Sequence, residues 1–197
     1  MAENFVYRRD RIIASAIEII SDSGLSALTT KNLALKDNMS EALLYKYFGS
    51  IDEVLVAVVD QYAKFDKSIR STVKSKGSTN IEKITNYLEA YATYYNNYYS
   101  ISTLMLQYEE LLHNADVRDK ITWCITERLN FLTELFDAAI KEKEIVDLFT
   151  PQELANNITG VTMSHILSRR IVYHKKSFKQ EFLENVKKWL LLIKYPA

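Results

Sequence analysis

Two short stretches near the start of the chain hold the side chains best suited to meeting a polyanion. Thr29, Thr30 and Lys31 form one; Ser40, Glu41, Ala42, Leu44, Tyr45 and Lys46 form the other. Hydroxyls and a phenol donate to phosphate oxygens, an ammonium supplies charge, and residues at a helix start reach base edges in a DNA groove. Glu41 repels phosphate, yet a carboxylate accepts from cytosine N4. Lys36, Arg8, Arg9 and Arg11 add positive charge close by in sequence. The acidic residues Glu3, Asp10, Glu18, Asp22, Asp37 and Glu41 balance the six basic residues Arg8, Arg9, Arg11, Lys31, Lys36 and Lys46. The whole chain is likewise neutral, with 25 basic and 25 acidic residues, so a DNA-binding surface must be a local patch.

A second group has a different chemistry. Tyr87, Tyr91, Tyr94, Tyr95, Tyr98 and Tyr99 recur at i, i+4, i+7, i+8, i+11 and i+12, which puts most of them on one helix face. A buried phenol needs a partner, so a tyrosine face suits the wall of a ligand cavity. Met105, Tyr108, Trp123, Glu127, Phe131 and Met163 are candidates for the same wall as Tyr91, Tyr94, Tyr95 and Tyr98. The expected ligand is a small effector, largely apolar or aromatic, and Glu109 or Glu127 among rings favours a cationic one. The competing reading is an amphipathic core helix whose phenols reach the surface. No HExxH, glycine-rich phosphate loop or GxSxG is present, so no catalytic residue is assigned and an enzyme is not expected. The single cysteine, Cys124, excludes an intrachain disulfide and a cysteine-based zinc site, and neither cofactor nor metal is expected.

The elements that carry these residues are helices. Four Gly and two Pro leave few strand boundaries, and i, i+3, i+4, i+7 apolar patterns recur almost throughout, which predicts an all-α chain of about nine helices. Helix one spans about Tyr7 to Ser23 and ends at Gly24; Thr29 or Thr30 caps helix two; Ser40 caps helix three. Asp37-Asn38-Met39-Ser40 is the turn between the last two, which makes a helix-turn-helix. Ser50 to Glu53 reads as a capping box opening a long helix four. Gly77 marks a polar break, and Thr79 with Glu82 opens helix five. Helix six covers about Ser100 to His113 and helix seven about Val117 to Lys143. Thr150-Pro151-Gln152-Glu153 starts helix eight, and helix nine covers about Ser177 to Lys194. The expected division is a DNA-binding domain over 1–49, completed by the start of helix four, and a helical domain over 50–197. Met1 to Asp10 has no apolar core of a secretory signal, and Val54 to Val59 is too short an apolar run to cross a bilayer, so a cytoplasmic protein without membrane contact is expected.

Arg11-Ile12-Ile13, Ala16, Gly24, Leu28-Thr29-Thr30, Leu33-Ala34, Ser40, Leu44-Tyr45, Phe48, Ser50 and Leu55 together resemble the N-terminal signature of the TetR family of transcriptional regulators. The resemblance covers about the first quarter of the chain. It implies a ligand-responsive repressor that binds a palindromic double-stranded operator as a homodimer and is released by a small-molecule effector. It also implies that Tyr45 contacts phosphate and that the last two helices of each subunit form the dimer. For that interface Leu154, Ile158, Val161, His165 and Val172 on helix eight, with Phe182, Val186 and Trp189 on helix nine, have suitable spacing. Two positions depart from the family pattern: Asn38 stands where Gly is usual, and Ile51 where Lys is usual. Asn tolerates the left-handed backbone the turn needs. Ile51 removes an expected phosphate contact. The alternative is a helical ligand-binding or scaffolding module that has lost DNA binding.

Overall fold

The computed structural model describes residues 2–75 and 79–195, with side chains from residue 5 onward. Gly77 lies outside the described residues. The chain divides into two compact units, one of residues 1–64 and 100–122, the other of residues 65–99 and 123–197. The packing thus assigns all of 50–64, and a later segment, to the same unit as the expected helix-turn-helix.

In the first unit α1 (Ala2–Ser23) begins earlier than Tyr7 and places Ile12, Ala16 and Ile20 in the core. It stops at Gly24, whose φ of 86° suits only glycine and whose N–H donates to the Ile20 carbonyl at 3.0 Å. A 3-10 turn (Leu25–Ala27) leads to α2 (Thr30–Lys36), and a tight turn leads on to α3 (Glu41–Leu44). Asn38 occupies that turn with φ of 50°, and the Met39 N–H returns to the Ala34 carbonyl at 3.0 Å. Asparagine therefore takes the left-handed position expected of it. α4 (Ile51–Ala63) buries Val54, Val58, Val59 and Tyr62. α1 packs against α2, α4 and a 3-10 segment, Thr103–Gln107, and α2 packs against α3.

Two expected helices are broken, which is why about nine become eleven α-helices among the described residues. Helix four ends at Ala63, and α5 (Asp66–Ser75) starts anew. Neither Gly nor Pro marks this break; Lys64 and Phe65 sit in it. Expected helix six is α7 (Tyr99–Ser102), the 3-10 segment, and α8 (Tyr108–His113). There the Thr103 hydroxyl donates to the Ser100 carbonyl at 2.7 Å, a local bond that competes with the regular ladder.

The second unit holds α5, α6 (Asn80–Asn97), most of α9 (Arg118–Lys141), α10 (Pro151–Ile171) and α11 (Phe178–Ile193). α11 lies along α6, α5 against α6, and α10 against α11. Reciprocal capping boxes start α6 at Thr79 and Glu82, α10 at Thr150 and Glu153, and α11 at Ser177 and Gln180. Bonding from the Thr150 N–H holds the Glu153 carboxyl below its ordinary range. The Glu144 carboxylate accepts from the Asn80 and Ile81 N–H groups at 2.9 and 2.8 Å, fixing the start of α6 from a distant loop. At Ser50 the box is half formed. Its hydroxyl accepts from the Glu53 N–H, but the Glu53 carboxylate takes the Gly49 N–H, at 2.7 Å.

Replacement of Gly24 by alanine is expected to destabilise the protein by about 1–3 kcal/mol. An added Cβ would meet nothing within 4 Å, so the loss would come from the backbone alone. Urea unfolding of Gly24→Ala against the parent checks this.

Candidate functional site

The helix-turn-helix presents most of its expected reading residues outward. Thr29, Lys31, Ser40, Glu41, Ala42, Tyr45 and Lys46 are exposed, and Thr30 is half-buried. Thr29 and Ser40 act as caps, their hydroxyl oxygens accepting from the Asn32 and Leu43 N–H groups at 3.2 Å each. A hydroxyl that accepts in this way still carries a proton to donate to a phosphate oxygen. Tyr45 is 52% exposed just beyond the end of α3.

Leu44 corrects the expectation. It is 2% exposed and lies in the core with Leu33, Ala34 and Phe48, so it does not face a groove. α3 is a single turn, and the core takes its last residue.

The positive charge is also redistributed. Arg9 donates to the Tyr47 carbonyl, pairs with Glu53 at 3.2 Å and lies 3.9 Å over the Phe48 ring. Arg11 pairs with Asp37 at 3.2 Å and donates to its carbonyl, and the Ser15 hydroxyl donates to the same carboxylate at 2.9 Å. Lys36 reaches Glu18 at 2.8 Å, a bond that raises its pKa. Three of the cations counted as candidates therefore brace the unit. Among the described residues Lys31 and Lys46 carry no ion pair. No short-range pattern announces these pairs, since the partners lie 18 to 44 residues apart.

The tyrosine face of α6 is packed. Tyr91 and Tyr95 are buried, and Tyr94 nearly so. Asp66, 1% exposed, receives Arg128 in a two-pronged pair, Nη2 to Oδ1 at 2.8 Å and Nε to Oδ2 at 2.9 Å. The Tyr91 hydroxyl donates to Asp66 Oδ1 at 2.8 Å, and Arg128 Nη1 donates to the Tyr95 hydroxyl at 3.0 Å. Arg128 also lies 5.0 Å from the Tyr91 ring. Burial raises the Tyr87, Tyr91 and Tyr94 pKa values. The Tyr91 and Tyr95 phenols thus neither reach the surface nor stand unpartnered; a buried ion pair satisfies both.

The other expected ligand residues are scattered. Phe131 is buried, its ring 4.9 Å from Tyr87. Met163 is half-buried. Tyr98 and Trp123 are 58% and 48% exposed. Met105 and Tyr108 belong to the first unit, where Met105 is buried and the Tyr108 hydroxyl meets that of Tyr62. Glu127 is paired with Arg70 at 3.4 Å, so its charge is already met and gives no reason to expect a cationic ligand.

Residues 12–58 match the family profile described as bacterial regulatory proteins, tetR family. The match spans α2, α3 and most of α1 and α4. No curated protein matches the chain in sequence. Among solved structures, the chain is similar to the ketosteroid transcriptional regulator KstR2 of Mycobacterium tuberculosis, with 13% identity, 96% of each chain covered and a TM-score of 0.86. It is similar to AibR in complex with isovaleryl coenzyme A and operator DNA, with 15% identity, 96% of this chain and 100% of that one covered, and a TM-score of 0.74. It is also similar to FadR from Bacillus subtilis in complex with stearoyl-CoA, with 18% identity, 90% and 96% covered, and a TM-score of 0.68. These likenesses establish the fold, which is the all-α fold of TetR-family regulators. Among the described residues no helix is long and apolar enough to cross a membrane.

The apolar residues of the last two helices, expected from the sequence to form a dimer surface, divide. Leu154, Ile158, Phe182 and Val186 are about fully buried in the protomer's own core, which corrects their assignment to an interface. Val161, His165 and Trp189 are half-buried. His165 meets the Phe182 ring edge-on at 5.8 Å, and burial lowers its pKa. Val172 is exposed, as are Leu167, Ile171, Tyr173, Leu191 and Leu192. Gly160, Ser164, Leu167 and Ile171 form one exposed stripe along α10.

Two substitutions separate reading from folding. Leu44→Ala is expected to cost about 2–5 kcal/mol of stability through a core cavity. Lys46→Ala should leave the melting temperature unchanged, weaken DNA binding and lower the salt slope by about one. Thermal melts and binding isotherms at several salt concentrations check both. In the second unit, Asp66→Asn strands Arg128 without its counter-ion and is expected to cost about 3–5 kcal/mol, read by chemical denaturation.

Proposed function

We propose that the chain is a ligand-responsive repressor that binds a palindromic operator as a homodimer and releases it when a small molecule occupies the second unit. The observation that carries this reading is the outward face of α3 and its turn. Ser40, Glu41, Ala42, Tyr45 and Lys46 are exposed on a unit in which Arg9, Arg11 and Lys36 are paired internally. Thr29, Thr30 and Lys31 add phosphate contacts beside it. Two copies joined through the exposed stripe of α10 and the Trp189 and Leu192 side of α11 would present two α3 helices. These would meet half-sites about 34–36 Å apart, or a multiple of that.

The effector reading is supported by the complexes of two structural neighbours, one with isovaleryl coenzyme A and operator DNA, one with stearoyl-CoA. An acyl thioester is therefore the first ligand class to try. The chain crosses between its two units after residues 64, 99 and 122, so a change in the second unit has covalent routes to the first. A ligand with different affinity for two arrangements of the chain shifts their populations and with them the DNA affinity.

The second reading, a helical module without DNA binding, draws on the internal pairing of Arg9, Arg11 and Lys36 and on Ile51. Binding of the purified protein to the DNA upstream of its own gene, at low and moderate salt with excess competitor, tests both. Specific binding that weakens with salt is expected, with a dimer mass by sedimentation. A monomer that fails to bind at low salt would favour the second reading.

A further inference from the structure

We propose that the cleft between α5 and α9 binds an oxyanion, a carboxylate or phosphate group, on Arg70. Its role as the place where an effector is recognised rests on the effector reading above. Lys67, Arg70 and Lys74 fall at i, i+3 and i+7 on α5, and all three line a cleft of about 290 Å³ with Glu127, Phe131 and Glu134 from α9. Lys74 is loosely held, 3.7 Å from an exposed Glu134 and 5.6 Å from the Phe131 ring.

Arg70 is different. Its side chain is 13% exposed, its Nη2 lies 3.4 Å from Glu127, and its guanidinium lies 5.7 Å from the Trp123 ring. Its Nη1 is buried and donates to nothing; among the described residues it is the one buried side-chain donor without an acceptor. A guanidinium stays charged and offers a planar fork of N–H groups that fits two oxygens of a carboxylate or phosphate. Glu127 engages that fork from one side at long range. A buried charged donor left unpaired is costly, so a group that brings acceptors gains more here than beside a solvated lysine. Lys67 and Lys74 raise the potential of the same cleft. Three cations against two carboxylates, one cation incompletely paired, select an anionic ligand and reject an ammonium.

Calorimetric titration of the full chain with octanoate, inorganic pyrophosphate and octylammonium tests this. Saturable binding of at least one oxyanion is expected, with no binding of octylammonium. Arg70→Gln should weaken that binding at least tenfold. Glu127→Gln should strengthen it, because the competing carboxylate is gone. Opposite responses of two paired neighbours are what a merely structural pair would not give, and the Glu127→Gln arm stands even if Arg70→Gln fails to fold. Octanoate alone binding assigns a carboxylate on an apolar chain; pyrophosphate alone assigns a phosphate. Binding of neither, equal binding by a folded Arg70→Gln, or preference for octylammonium would overturn the proposal. Operator binding measured in parallel separates the two readings. Arg70-dependent anion binding with unchanged DNA affinity keeps the site and removes its effector role. DNA release by a ligand indifferent to Arg70→Gln keeps the effector reading and removes the site.

Discussion

A carboxylate taken almost wholly out of water governs the second unit. Asp66 is 1% exposed, and an ionised group so placed is tolerated only with a charge partner and a full set of hydrogen bonds. Arg128 supplies the charge through two parallel bonds, and the Tyr91 hydroxyl supplies a further donor. A further Arg128 donor, on Nη1, fixes the Tyr95 hydroxyl. α5, α6 and α9 are thereby tied at one point. The ion pair also stands directly beside a break that no local residue signals. Asp66 begins α5 directly after the interruption at Lys64 and Phe65, and the Phe65 ring packs edge-on against Tyr94 at 5.1 Å. Asp66 thereby reaches both α6 and α9, and Phe65 reaches α6.

The same economy of charge shapes the first unit. Arg9 closes the turn after α3 by holding the Tyr47 carbonyl, Glu53 and the Phe48 face together. Glu53 in turn accepts the Gly49 N–H, and that bond, ahead of Arg9, lowers its pKa. Arg11 and Ser15 anchor Asp37 below the turn. A short reading helix of one turn has almost no stability of its own, since helix nucleation is unfavourable. Tertiary clamps on either side hold it, and they are made of residues that would otherwise be read as DNA contacts. The outward face then depends on few charges, which makes its hydroxyls and Tyr45 a larger share of the candidate interface.

Much of this was legible in the chain itself. Ser40, Thr29, Thr79, Thr150 and Ser177 cap helices where their types and positions say they should, because a cap is a bond between residues two or three apart. Gly24 and Asn38 take the left-handed backbone for the same local reason. The Ser50 box was legible only in part, because a residue one step away, Gly49, competes for Glu53. Apolar periodicity gave the helices but not their solvent sides. Leu44 was assigned outward and lies inward, and Leu154, Ile158, Phe182 and Val186 lie in the core although their spacing suits a partner helix equally well.

The sequence by itself determined the all-α class, the capped helix starts and the turn of the helix-turn-helix, since all of these rest on contacts short in sequence. The tertiary structure decided which cations brace and which stand free, whether tyrosines line a wall or satisfy a buried pair, and where two long helices break. Those outcomes turn on partners as distant as Asp66 and Arg128 or Arg9 and Glu53. Charge pairing and burial are properties of neighbours in space, and the neighbours exist only once the chain has folded.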